Sequence, residues 1–214
     1  MPKEVNIIDE LLHLFKETNL VKKIIKGESL PKSAFKEFLK WYQSIPPTIH
    51  VTPDLILAFE NYSEKSDEAF LVALECKYFP SETDEKKRRK RFRKTFREVG
   101  QPLRNLILGY DLVILWHLFA EELDDTGIKD FVGVCNEVIQ GLELPILYFA
   151  TKISNKKFRL YSPWDLSNYQ DIIYITRSIK NFLMETKEKG RNLFFNNSKV
   201  KERRRAIKTA LNIP

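Results

Sequence analysis

The feature that most constrains the fold of this chain is a pair of apolar runs, PDLILAFE at 53–60 and AFLVALECKYF at 69–79, joined by the polar segment NYSEKSDE. Both are strand length, and the second holds Leu71, Val72, Ala73 and Leu74 in unbroken succession. A strand with one wetted face alternates apolar and polar side chains, so an unbroken run predicts a strand covered on both faces. Paired as a hairpin, the two runs place Asp54 beside Glu75 where one strand leaves the sheet. Alternation also puts Glu75 and Lys77 on one face and Cys76 on the other. Charges on so apolar a strand belong at the sheet margin, because an uncompensated buried charge is costly. The plainest alternative is that Glu75 and Lys77 run out into solvent as the strand ends.

Helices to cover such a sheet lie on either side in the sequence. Ile7, Ile8, Leu11, Leu12, Leu14 and Phe15 form one apolar stripe, predicting an amphipathic helix over 4–18. A second helix is expected over 32–44, opened by Pro31 and closed by Pro46 and Pro47. Extended structure is expected at TIHVT (48–52) and then in the two apolar runs. After Pro80 and Ser81 a charged helix is expected to about residue 98, stopped by Gly100, and Gln101-Pro102 opens a short new helix. A strand over 110–118, a helix over 128–140, a hairpin of 145–151 with 157–161, and mostly helical structure from about 165 complete the reading. Strands mixed with helical crossovers imply an α/β sheet flanked by helices. The 214 residues read as one domain, with a core over about 5–161 and a basic helical extension over about 165–214.

Charge narrows the partner. Lys and Arg number 36 against 29 Asp and Glu, a formal net charge of +7, which points to an acidic partner, nucleic acid being the usual one. The start, MPKEVNIIDELLHLF, lacks the uninterrupted apolar stretch of a signal peptide, and the longest apolar run, DLVILWHLFA, is too short to span a membrane. An intracellular location without a membrane partner is therefore expected. Cys76 and Cys135 are far apart and fit no metal spacing. His13, His50 and His117 show no ligand-like spacing and read as surface or core-edge residues. Trp41, Trp116 and Trp164 read as packing residues, and Asp111 as a turn residue before a strand.

Two carboxylates and an ammonium at one point are what divalent-metal hydrolysis of a phosphodiester requires. Asp54 and Glu75 offer hard oxygen ligands for Mg²⁺ or Mn²⁺, and Lys77 can orient water or stabilise charge on phosphorus. With Pro53-Asp54, Glu75-x-Lys77 and Gln101 opening a helix before a strand, residues 5–150 resemble the PD-(D/E)xK nuclease superfamily. Type II restriction enzymes, archaeal Holliday junction resolvases and the lambda exonuclease type belong to it. The resemblance implies a restriction-endonuclease-like mixed sheet flanked by helices, with extra N-terminal and C-terminal helices. It implies that Asp54, Glu75 and the backbone carbonyl of Cys76 bind metal, and that Lys77 positions the attacking water. It further implies that Glu10, as the first-helix acid, completes the metal site, and that Gln101 braces the site or touches a phosphate. The chain also resembles nuclease-like proteins of archaeal spindle-shaped viruses. It departs from the junction resolvases at Val5, Asn6 and Ile7, where those enzymes carry a basic residue and a glycine; that departure puts junction specificity in doubt. Glu10 also reads as a solvated helix residue, and Gln101 as a helix cap.

Between the lysine and the glutamine runs KKRRKRFRKTFR (86–97). On a helix Phe92 and Phe96 share a face that docks on the sheet. Apart from Thr95, the remaining residues, Lys86, Lys87, Arg88, Arg89, Lys90, Arg91, Arg93, Lys94 and Arg97, then form a row of cations suited to a phosphate backbone. A second basic stretch holds Lys199, Lys201, Arg203, Arg204, Arg205 and Lys208. The bland reading of both is a solvated helix face. The expectation is a Mg²⁺- or Mn²⁺-dependent endonuclease acting on branched DNA as a homodimer. Its alternatives are a non-catalytic DNA-binding protein on a nuclease scaffold and an RNA-processing nuclease.

Overall fold

Among the described residues seven strands hydrogen-bond in chain order into one mixed sheet. The structure, a computed structural model, describes residues 4–29, 52–60, 69–81, 100–141, 143–188 and 197–213. Strands β1 (Lys23–Lys26), β2 (Leu55–Phe59) and β3 (Phe70–Phe79) form an antiparallel meander. Strands β4 (Leu112–Ala120) and β5 (Ile146–Ser154) continue parallel to β3, and β6 (Lys157–Ser162) and β7 (Tyr169–Gln170) return antiparallel. Among the described residues five α-helices surround it: α1 (Glu4–Glu17), α2 (Gly100–Leu108), α3 (Asp125–Gly141), α4 (Ile172–Glu188) and α5 (Ser198–Ala210). The α/β class read from the sequence is the class observed.

The sheet is buried on both sides, which explains the unbroken apolar runs. On one face Ile7, Leu11 and Phe15 of α1 and Ile175 and Ile179 of α4 pack with Leu57, Val72, Leu74, Cys76, Trp116 and Phe149. On the other, Leu106 of α2, Phe131 and Cys135 of α3 and Ile207 of α5 pack with Ile56, Leu71, Val113, Leu115 and Phe119. Each fully buried Leu, Ile or Phe contributes about 1.5–3 kcal/mol, so these two layers dominate stability. The stretch from 165 onward thus supplies one helix to each layer.

Several local expectations are refined. Strand β1 was not foreseen: KIIK is four residues long with lysines at both ends, too short for a periodic signal. Gly100 is the first described residue of α2, and the segment that it was expected to stop lies outside the described residues. The helix over 32–44, all of TIHVT except Thr52, and the charged segment over 82–98 lie outside the described residues, as do Lys86 to Arg97. Asp111 is a buried junction, not a simple turn residue. Its Oδ2 accepts from the Leu71 amide at 2.7 Å, and its Oδ1 accepts from Nη1 of Arg204. Arg204 also donates to the Ala69 carbonyl at 3.2 Å. Arg204 and Lys208 are therefore buried, while Lys199, Lys201 and Arg205 remain exposed. Gly109 permits this docking: its φ is 108°, and a Cβ there would stand 3.0 Å from both the Arg204 amide nitrogen and the Val200 carbonyl.

Candidate active site

Strand β3 outruns its antiparallel neighbour, and the site forms on the edge that this leaves. Leu55, the first residue of β2, pairs with Leu74, so Glu75 to Phe79 have no β2 partner. Asp54 immediately precedes β2 and therefore stands across from Glu75. Its Oδ2 accepts from the Cys76 amide at 2.7 Å, replacing the missing ladder bond. Two residues on, Oε2 of Glu4 accepts from the Tyr78 amide at 3.4 Å. Carboxylates thus satisfy the edge amides that β2 leaves behind. Because one residue's N–H and C=O share a strand edge, the Cys76 carbonyl faces the same side as Asp54.

The position of Asp54 depends on a close backbone contact. Gly27, in the turn after β1, donates its amide to the Asp54 carbonyl at 3.2 Å. The Pro53 carbonyl oxygen fills the space that a Cβ on Gly27 would need, so only glycine allows this approach.

Glu75 points to the opposite face from Cys76, toward α2, and is only 2 % exposed. Asn105 Nδ2 donates to its Oε1 at 2.7 Å, and Arg104 Nη2 lies 3.4 Å from the same oxygen. Burial above all, and then the negative charge of Asp54, push the Glu75 carboxyl up to about 7 against the pull of Asn105, Arg104 and Lys77. Lys77, two residues along, makes an ion pair with Glu4 at 3.8 Å. Beneath it, His117 on β4 is paired in register with Lys77 and packs among Phe79, Phe131 and Tyr148. Burial, with a smaller push from Lys77, lowers His117 to about 3, so it is a neutral floor, its Nδ1 2.9 Å from the Tyr148 hydroxyl.

Of the residues singled out in the sequence, Asp54, Glu75, Cys76 and Lys77 are brought together on this edge. Glu10 is not brought to them: it lines a separate cleft with Ile7, Tyr78, Glu121, Glu122 and Ser154. Helix phase explains the difference. Glu4 continues the line of Leu11 and Phe15, at the centre of the buried stripe, whereas Glu10 lies at its margin. Glu4 therefore shares a groove with Lys26, Glu28, Pro53 and Asp54. Gln101 sits in the first turn of α2, its Oε1 buried without a hydrogen-bond partner among the described residues. Glu75 is braced instead by Arg104 and Asn105, which the sequence reading missed. Asn105 is four residues after Gln101 and so on the same helical face, the one available signal.

A hard divalent cation fits the donor set of this edge in part. Two carboxylates that repel one another, with the Cys76 carbonyl on the strand edge that Asp54 caps, form an oxygen-only set of the kind Mg²⁺ or Mn²⁺ prefers. Both bonds to Glu75 fall on Oε1, which leaves Oε2 for a cation among the described residues. No group of three or more His, Cys, Asp or Glu side chains converges at coordination distance among the described residues, so water would complete the shell. Comparison with known proteins finds no matching family model, no matching curated protein and no matching solved structure. Among the described residues no helix is long and apolar enough to cross a membrane.

Proposed function

We propose that this chain is a divalent-metal-dependent endonuclease that hydrolyses phosphodiester bonds in DNA, with the PD-(D/E)xK arrangement its site resembles. The observation that carries this reading is the meeting of Asp54, Glu75, the Cys76 backbone and Lys77 on one unpaired strand edge. The order helix, strands, helix, strand through residue 120 and the mixed sheet agree with a restriction-endonuclease-like fold. Asp54 and Glu75, with the Cys76 carbonyl, would hold Mg²⁺ or Mn²⁺. When bound, the cation supplies positive charge to the phosphate and acidifies nearby water. Asn105 fixes Glu75 in one orientation, and the Gly27 contact fixes Asp54. Lys77 directs water toward phosphorus and offsets charge that builds on the phosphate oxygens.

The net charge of +7 suits a polyanionic substrate, because contacts to phosphate need no base sequence. Branched DNA is the substrate class proposed, cut by a homodimer that presents two sites to a junction. The test is cleavage of branched, single-stranded and double-stranded DNA, with RNA as competitor, in Mg²⁺ and in Mn²⁺. The parent should cut, and Glu75→Ala and Lys77→Ala should each lower the rate by roughly a hundredfold or more. Absence of cutting on every substrate, or equal cutting by both variants, would refute the reading.

Two observations favour a second reading, a DNA-binding protein that keeps the scaffold without the chemistry. Lys77 is engaged by Glu4, and only a carboxylate pair, not a triad, is assembled among the described residues. That protein would bind DNA in a salt-sensitive manner, indifferent to Asp54→Ala and Glu75→Ala.

A further inference from the structure

The inner face of α2 holds more hydrogen-bonding capacity than Glu75 uses. Arg104 meets Glu75 through one Nη at 3.4 Å, and its Nε is buried without a partner among the described residues. Oδ1 of Asn105 and Oε1 of Gln101 are in the same condition. One donor and two acceptors are thus left unfilled within about a turn of helix, beside a carboxylate pair. Buried polar atoms are almost always satisfied, so a cluster of exceptions marks a place where something polar belongs.

We propose that Arg104 is the phosphate-binding residue of this site, its guanidinium receiving an anionic oxygen of the phosphodiester. The carboxamide oxygens of Gln101 and Asn105 accept from the water around the bound group. This rests on the nuclease reading and adds the residue that grips the substrate. A charge-assisted bond has a length of about 2.7–2.9 Å, so at 3.4 Å Arg104 is attracted to Glu75 without being committed to it. Its planar fork of donors matches phosphate oxygens, which a point charge does not. Its side chain keeps 19 % exposure, enough to reach a ligand entering from solvent, whereas Glu75 keeps 3 %. Lys77, the other cation of the site, already faces Glu4.

The experiment uses the full chain and its Arg104→Gln and Arg104→Lys variants at a pH where Glu75 is ionised. Mn²⁺ binding is read alone by electron paramagnetic resonance. Binding of thymidine 3′,5′-bisphosphate is read by isothermal titration, with and without Mn²⁺. Arg104→Gln should weaken the bisphosphate roughly tenfold or more while Mn²⁺ binds equally or more tightly, because a repelling charge has left. Arg104→Lys should recover part of the loss. A merely structural role would instead weaken both ligands and lower the melting temperature. Unchanged bisphosphate affinity in Arg104→Gln, no bisphosphate binding by the parent, or parallel losses of both ligands would overturn the proposal. The two readings fail separately. Bisphosphate binding through Arg104 without any Mn²⁺ binding sinks the metal site alone. Mn²⁺ binding abolished by Glu75→Gln, with Arg104→Gln silent, sinks this proposal alone.

Discussion

Replacing Glu75 with glutamine should make the protein more stable at alkaline pH and change little in acid. The carboxyl sits at about 7 in the folded chain against an ordinary value near 4.5, chiefly because it is buried. Below pH 4.5 both folded and unfolded chains carry the proton, and Glu75 adds no pH dependence. Between about 4.5 and 7 the unfolded chain releases the proton while the folded chain keeps it, so stability falls as pH rises. Above that window the folded chain bears an ionised, buried carboxylate, and the accumulated cost is about 3 kcal/mol. Glutamine keeps an oxygen for the Asn105 bond and cannot ionise, so Glu75→Gln avoids this loss. For a chain of this size the gain corresponds to roughly 6–12 °C in Tm at pH 8, shrinking toward zero near pH 4. Thermal melts of parent and variant across that range isolate Glu75, since every other titrating group is shared. Adding Mg²⁺ or Mn²⁺ should stabilise the parent at pH 8, less at pH 5 where protons compete, and the variant hardly at all. Parallel stability curves for the two proteins from pH 4 to 8 would refute the account of Glu75 as a buried, repelled carboxylate.

Two other perturbations test the supports of the site. Gly27→Ala sets a methyl group against the Pro53 carbonyl and should cost about 1–3 kcal/mol in a urea titration; it should also shrink the Mn²⁺-induced rise in Tm, because Asp54 moves with its backbone. Asp111→Ala strips Arg204 of its buried partner and should cost about 3–5 kcal/mol by the same titration, whereas replacing both residues with apolar ones should recover much of that loss.

The sequence by itself determined the class of the fold and the pairing at its centre. Unbroken apolarity from Leu71 to Leu74 demanded a strand buried twice, the stripe from Ile7 to Phe15 supplied a helix to bury it, and strand alternation separated Glu75 from Cys76. These are properties of neighbours along the chain, so local periodicity reveals them. Only the tertiary structure decided which acid of α1 reaches the edge, that β2 starts where Asp54 must cap the Cys76 amide, and that Asn105 holds Glu75 with Arg104 close by. It likewise decided that Arg204 serves Asp111 and not solvent. Those outcomes depend on how far each strand extends past the next and on how each helix is rotated about its axis. Such quantities are set by packing between segments 22 to 93 residues apart, and no single segment encodes them.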